Sequence, residues 1–252
     1  MRTGSFPTMS NLTGQRRIGL LQCGHVNDLL VADHGDYPEL FAALLGPRLG
    51  PDIELVAFDV DHGEMPDSPT ECDAWLVSGS ASSTYEPLAW IDDAASFVTR
   101  IVDQDLPLVA VCFGHQLLAQ AFGGNVRRCD DGWAIGVHHY DLVPDLPRWP
   151  TDIAQPTRAA IVASHQDQVT TLPDGAVLLA STDHCPIAAF SLGPNALAIQ
   201  PHPEFSRALS GQLTGARRHI FPDLVDDALT SLDAPTDRQI VGDWMADFLT
   251  RS

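Results

Sequence analysis

The sequence predicts an α/β fold: a mostly parallel central sheet with helices on both faces, a nucleophile elbow, and a mixed or antiparallel extension. Three observations predict it. In the first half, short β-rich apolar runs alternate with helix-like segments, the rhythm of β-α-β units. One run, Pro107 to Cys112, is apolar without interruption, as a strand buried on both faces must be. After Trp133 the rhythm changes to several short, closely spaced strand-like runs.

The elements follow in order. Ile18 to Cys23 reads as a strand and Tyr37 to Leu45 as a helix, with Leu40, Phe41, Leu44 and Leu45 on one face. Ile53 to Val60 and Ala74 to Val77 are the next strands, the latter ending in Ser78-Gly79-Ser80. Trp90 to Val102 is a helix. Pro107 to Cys112 is the fourth strand. Gly114 to Phe122 is a helix stopped by Gly123-Gly124. Gly136 to Leu142, Ala159 to Ala163, Val177 to Ser181, Ile187 to Ser191 and Leu197 to Gln200 supply the extension. Pro144 to Pro156 carries four prolines and reads as a surface loop. Beyond Glu204 the chain turns helical and closes on an amphipathic helix, Gln239 to Leu249. With no repeat and no long linker, residues 17–252 read as one domain with a helical C-terminal segment. Residues 1–16, rich in Gly, Ser, Thr and Pro, read as a flexible tail.

Composition narrows the function. The 252 residues carry a net charge of −19, which repels nucleic acid. All 14 basic residues are arginine, so Schiff-base and P-loop lysines are excluded. No apolar run is long enough to span a bilayer, and Met1 to Arg17 lacks the apolar core of a signal peptide, so a cytoplasmic address is expected. Five widely spaced cysteines without a C-x-x-C pair argue against disulfides and structural zinc. Asp33-His34-Gly35-Asp36 and Asp59-Val60-Asp61-His62 look like metal clusters, but each follows an apolar segment where polar loop residues belong anyway. No third ligand set accompanies them, so neither metal nor cofactor is expected. His138 and His139 point to opposite faces of a strand, and Trp133 fits either a pocket wall or the core.

Two stretches carry chemistry. In Leu108-Val109-Ala110-Val111-Cys112-Phe113-Gly114-His115-Gln116, an apolar strand runs into a cysteine and then at once into a helix. That is the pattern of a nucleophile elbow, which needs small residues two before and two after the nucleophile, here Ala110 and Gly114. A helix N-terminus stabilises a thiolate, and the N–H of Phe113 would face an oxyanion. Read alone, the stretch also fits a small buried hydrophobe, the commonest fate of cysteine. In Ile199-Gln200-Pro201-His202-Pro203-Glu204, prolines hold the backbone extended, so His202 and Glu204 face the same way. A carboxylate beside an imidazole is the base-and-orienter pair that a cysteine nucleophile requires.

Together these stretches resemble the class I, or triad, glutamine amidotransferases, whose motifs are close to G-x-C-x-G-x-Q and H-P-E. Cys112 and His202 stand 90 positions apart, and His202-Pro203-Glu204 matches in full. Ser78-Gly79-Ser80 sits where the family has its oxyanion loop. Ser164-His165-Gln166-Asp167-Gln168-Val169 resembles a segment of GMP-synthase-type amidotransferases. The resemblance spans Ile18 to Leu249 and implies a flavodoxin-like sheet. It also implies a Cys112 nucleophile, His202 as base and Glu204 as its orienter. Phe113 with Gly79 or Ser80 would form the oxyanion hole. Gln116 and the backbone of Ser164, His165 and Gln166 would position glutamine. One departure is Ala110, where the family usually has glycine. The chain contains no synthetase domain. The resemblance therefore implies a glutaminase that releases glutamate and ammonia, with a separate synthetase as partner. Alternatives are a free-standing γ-glutamyl peptidase and a non-catalytic binding protein on the same fold.

Overall fold

A computed structural model describes residues 15–143 and 156–251. Residues 1–14 of the expected tail and most of the Pro144 to Pro156 loop lie outside the described residues; Arg16 already belongs to the first strand.

The elements run β1 (Arg16–Gln22), α1 (Asp28–His34), α2 (Tyr37–Leu49), β2 (Ile53–Asp59), β3 (Ala74–Val77), α3 (Ala89–Asp103), β4 (Leu108–Val111), α4 (Phe113–Ala121) and β5 (Asn125–Arg128). Then follow β6 (Ala134–Leu142), β7 (Arg158–His165), β8 (Asp167–Thr171), β9 (Ala176–Ser181), β10 (Ala189–Leu192), β11 (Ala196–Ile199), α5 (Arg207–Ala216), α6 (Val225–Ser231) and α7 (Arg238–Thr250). The main sheet has the order β2-β1-β3-β4-β11-β10-β9-β6-β7. The first five strands pair parallel and the remainder antiparallel, so the expected extension is there.

Burial explains the order. Every residue of β3, β4 and β11 is buried, and these strands hold the centre of the parallel half. Alternate side chains face opposite layers. Ile18, Leu20, Val109 and Val111 meet Phe41 and Leu44 of α2 and Trp244, Met245 and Phe248 of α7. Leu21, Trp75, Val77 and Ala110 meet Phe97 and Ile101 of α3 and Leu117 and Leu118 of α4. Helix α3 buries Ile91, Ala94, Phe97, Val98 and Ile101, one stripe at helical spacing. Fully burying one such Phe or Leu contributes about 1.5–3 kcal/mol, so Phe97→Ala should cost about 3–5 kcal/mol. Helix α2 starts at a capping box made by Asp36 and Glu39.

Three elements were not legible. Helix α1 buries none of its seven residues, so it carries no apolar stripe. Strands β5 and β8 form a separate two-stranded antiparallel sheet. Both are short and largely polar, with Val126 and Val169 as their buried apolar residues.

Candidate active site

The parallel strands β1, β3, β4 and β11 end on one edge of the sheet, the edge where α/β folds place their ligands. Cys112 follows β4 there. Its N–H still pairs with the sheet, donating to Ile199 O at 2.9 Å. Its backbone then turns to φ 51, ψ −100. Apart from Asp105, it is the one described non-glycine residue with positive φ. Such a conformation costs about 1–3 kcal/mol and persists only where the surroundings enforce it. Gly114 N–H donates to Ser78 O at 3.2 Å, and Gln116 N–H donates to Cys112 O at 3.1 Å. A side chain at Gly114 would crowd β3: a Cβ there would lie 2.8 Å from Val77 Cβ and 2.9 Å from Val77 O. Ala110 is buried between Val77 and Ala198 on the neighbouring strands, so alanine is accommodated at the departure from the family pattern.

His202 and Glu204 follow β11, the strand beside β4. Both are buried, and His202 Nδ1 lies 2.6 Å from Glu204 Oε1. The His202 N–H donates to Val162 O at 2.8 Å, which fixes the segment to β7. Phe205 stacks on the imidazole, with ring centroids 4.1 Å apart and planes 5° off parallel. From α7, Arg238 donates to the carbonyls of Pro203 at 2.9 Å and Glu204 at 3.2 Å. Burial disfavours a charged imidazole. The charge of Cys112, then that of Glu204, and hydrogen bonds to both outweigh it and push the His202 pKa up to about 10. The geometry thus brings Cys112, His202 and Glu204 into one buried constellation.

Three other thiols are held protonated by burial. Burial pushes Cys72 up to about 11 and Cys185 up to about 12, and Cys23 further still. These thiols stay protonated and unreactive near neutrality. The described cysteines are all free.

Ser78-Gly79-Ser80 turns beside the elbow. Ser78 Oγ accepts the Cys23 N–H at 2.9 Å and donates to Gly79 O at 2.9 Å. A Cβ on Gly79 would lie 2.7 Å from the Tyr37 hydroxyl oxygen and 2.9 Å from His202 Cε1, so this residue too has no room for a side chain. Phe113 is buried, its ring 5.4 Å from that of Trp90.

Cys112 opens into a cavity of about 380 Å³, lined among others by Ser80, Gln116, Ser164, His165, Gln166 and Asp167. Cys112, Ser80, Gln116 and the 164–166 segment thus share one cavity, whereas Gly79, Phe113 and His202 are not among its lining residues. Gln116 Nε2 donates to Asp167 O at 2.9 Å and to Gln200 Oε1 at 3.1 Å. His165 Nδ1 lies 3.2 Å from Asp167 O, and burial followed by the charge of His202 lowers its pKa to about 3, so it is neutral.

Other lining residues were not foreseen. Arg217 donates to Ser164 Oγ at 3.0 Å, and Arg128 and Tyr85 also face the cavity. Trp133, read from the sequence as either a pocket wall or core, does both: it lines the cavity and packs on Phe221, 5.4 Å between centroids. Nothing in the sequence marks Arg128 or Arg217 as site residues. Phe205, directly after the H-P-E triplet, was there to be read. Tyr37 was read only as helix; its buried phenol stays protonated, raised by burial and then by Glu204 and Cys112.

Comparison with known proteins agrees with this architecture. The family model Glutamine amidotransferase class-I matches residues 43–216. Gamma-glutamyl peptidase 5 of Arabidopsis thaliana is 30% identical over 199 residues, covering 77% of this chain and 78% of that protein. A GMP synthase [glutamine-hydrolyzing] of Bordetella parapertussis is 32% identical over 196 residues; the match covers 75% of this chain but 36% of that protein. Among solved structures, a glutamine amidotransferase from Thermotoga maritima superposes with a TM-score of 0.74 at 17% identity, covering 94% of this chain and 99% of that one, a likeness of fold. No described helix is long and apolar enough to cross a membrane. The chain belongs to the class I glutamine amidotransferases and is an enzyme of the cysteine-nucleophile hydrolase kind.

Proposed function

We propose that the chain hydrolyses the γ-amide bond of small γ-glutamyl compounds through Cys112, His202 and Glu204. The observation that carries this reading is the buried His202–Glu204 contact of 2.6 Å beside a cysteine at a strained strand-to-helix turn. Cys112 Sγ attacks the γ-carbonyl carbon as its proton passes to His202. The developing oxyanion is met by the N–H groups of Phe113 and of Gly79 or Ser80. His202 returns the proton to the leaving nitrogen, the C–N bond breaks, and a γ-glutamyl thioester remains. Water then attacks the thioester and gives a proton to His202. Glutamate leaves, and the thiol recovers its proton. Glu204 holds the imidazole and stabilises its charge. Gln116 and the backbone of Ser164, His165 and Gln166 position the glutamyl group.

The leaving group is ammonia if the substrate is glutamine and an amine or peptide if it is a γ-glutamyl peptide. Two features favour the peptide. Arg128 and Arg217 line one cavity in a chain of net charge −19, which suits a substrate with more than one carboxylate. A gamma-glutamyl peptidase is covered over 78% of its length, whereas the chain spans about a third of the GMP synthase. The glutaminase reading, with ammonia passed to a separate synthetase, rests on the same thioester.

Glutamate release from free glutamine and from γ-glutamyl dipeptides, with Cys112→Ala as control, tests this. Peptide turnover above glutamine turnover is expected. Turnover of glutamine alone, or silence relieved by a synthetase, would establish the amidotransferase subunit instead. Background rates with every substrate and every partner would refute both.

A further inference from the structure

A second constellation lies two strands from Cys112, where β1 and β2 end. His25 stands in the turn after β1, Asp59 closes β2, and Asp61 and His62 belong to the 3-10 turn Val60–His62 that follows. The sequence offers only the Asp59-Val60-Asp61-His62 run; the fold adds His25 from 34 positions upstream of Asp59. One ligand atom from each of the four residues lies within 4.8 Å of all the others. His25 Nε2 is 3.2 Å from Asp59 Oδ1, 3.3 Å from Asp61 Oδ1 and 3.1 Å from His62 Nδ1. His62 Nδ1 is 3.0 Å from Asp59 Oδ1 and 3.5 Å from Asp61 Oδ1.

With both imidazoles neutral, the donors and acceptors of this set do not balance. The other nitrogen of His25, Nδ1, lies 2.6 Å from Asp36 Oδ2. Asp36 is itself fixed: it accepts from Gln22 Nε2 at 2.8 Å and from the Val26 N–H at 2.8 Å. Gln22 Nε2 also lies 2.9 Å from that Nδ1; in the tautomer that protonates Nδ1 toward Asp36, the lone pair of Nε2 points at two carboxylate oxygens and a second imidazole nitrogen. With His62 Nδ1 likewise unprotonated, all four inward atoms are electron-pair donors. Asp61 Oδ1 is buried, faces both imidazoles, and receives no aligned hydrogen bond. A buried acceptor without a donor calls for a missing positive partner.

We propose that His25, Asp59, Asp61 and His62 bind one divalent first-row transition ion, with Zn²⁺ the best match. Two imidazoles exclude the hard all-oxygen preference of Ca²⁺ and Mg²⁺. Two nitrogens and two carboxylate oxygens make a four-coordinate set that zinc accepts. Asp36 behind His25 is the carboxylate–histidine support that metal-bound imidazoles ordinarily carry. The ion ties the β1 turn to the end of β2. Within that turn, Gly24 abuts Ser80, where a Cβ would lie 3.0 Å from Ser80 Cα, and the Cys23 N–H is bonded to Ser78. The bound ion thus braces the turn against which the 78–80 loop rests.

Titration of the chelator-treated full chain with Co²⁺ and then Zn²⁺ tests the site without reference to activity. One equivalent should bind, with the intense visible d–d bands of four-coordinate cobalt, and saturating zinc should raise the Tm by roughly 5 °C. His62→Ala, whose side chain is 66% exposed and whose loss the fold tolerates, should abolish the bands and weaken zinc by about 100-fold or more. Asp61→Asn should act likewise. No binding at millimolar metal, or equal zinc affinity in wild type and both variants, would overturn the proposal. In the second case the thiols or other histidines would be the ligands.

Discussion

The proposed nucleophile and its proposed base are held in opposite ways. Cys112 is held by its own backbone, bent to φ 51 and pinned because Gly114 sits against Val77. His202 carries no such strain. It is held from outside, by Glu204 on one side, Phe205 on its face and Arg238 behind the carbonyls. The difference teaches where each is vulnerable. The elbow breaks by adding atoms, whereas the base breaks by removing neighbours.

The largest effect should come from the sulfur itself. Cys112→Ala should lose about 10⁴-fold or more in kcat/KM and keep the native fold by circular dichroism. A variant with appreciable residual activity would remove Cys112 from the chemistry. Next comes the outer support. Glu204→Gln keeps the volume but loses the charge that holds the imidazole, and kcat should fall by roughly 10²–10⁴-fold. An unchanged kcat would make the carboxylate a packing group only.

Smaller effects separate the two modes of support. Gly114→Ala should cost about 1–3 kcal/mol by overpacking against Val77, read from the urea midpoint. Arg238→Ala removes two hydrogen bonds to the H-P-E backbone and should cost about 1–2 kcal/mol, with a drop in kcat larger than in KM. If Gly114→Ala proved neutral and Arg238→Ala did not, the elbow would be looser than its contacts imply.

The same contrast decides what the sequence could tell. The elbow is a local device, strand, cysteine and glycine in one run, so its residues were legible together. His202 and Glu204 were legible because two prolines force period-two geometry on three residues. The supports were not. Arg238 arrives from the last helix and Tyr37 from the second, and no spacing rule links them to residue 202. Arg128 and Arg217 enter the cavity from the small polar sheet and from the end of α5, segments with little hydrophobic pattern. The parallel strands were read to within a residue or two because they are apolar on both faces. Strands β5 and β8, half-exposed and four and five residues long, offered no such signal.

Both regions also carry a histidine, and pH distinguishes them. His115, on the elbow helix, is buried against Phe190, and burial lowers its pKa to about 3. His165, near the base, is likewise held near 3. Their ordinary value is 6.5, so the unfolded chain binds more protons below that pH. Each therefore leaves stability unchanged above about 6.5 and erodes it by up to about 1.4 kcal/mol per pH unit between about 6.5 and 3. His202 has the opposite sign. Its pKa is raised to about 10, so its stabilisation is complete below 6.5 and fades as pH climbs toward 10. Urea unfolding at pH 5, 6.5 and 9 reads both limbs. His115→Leu should flatten the acid limb and leave the alkaline one, while His202→Gln should do the reverse. An acid slope unchanged in His115→Leu would mean that His115 is already protonated in the fold, with a partner that compensates for its burial.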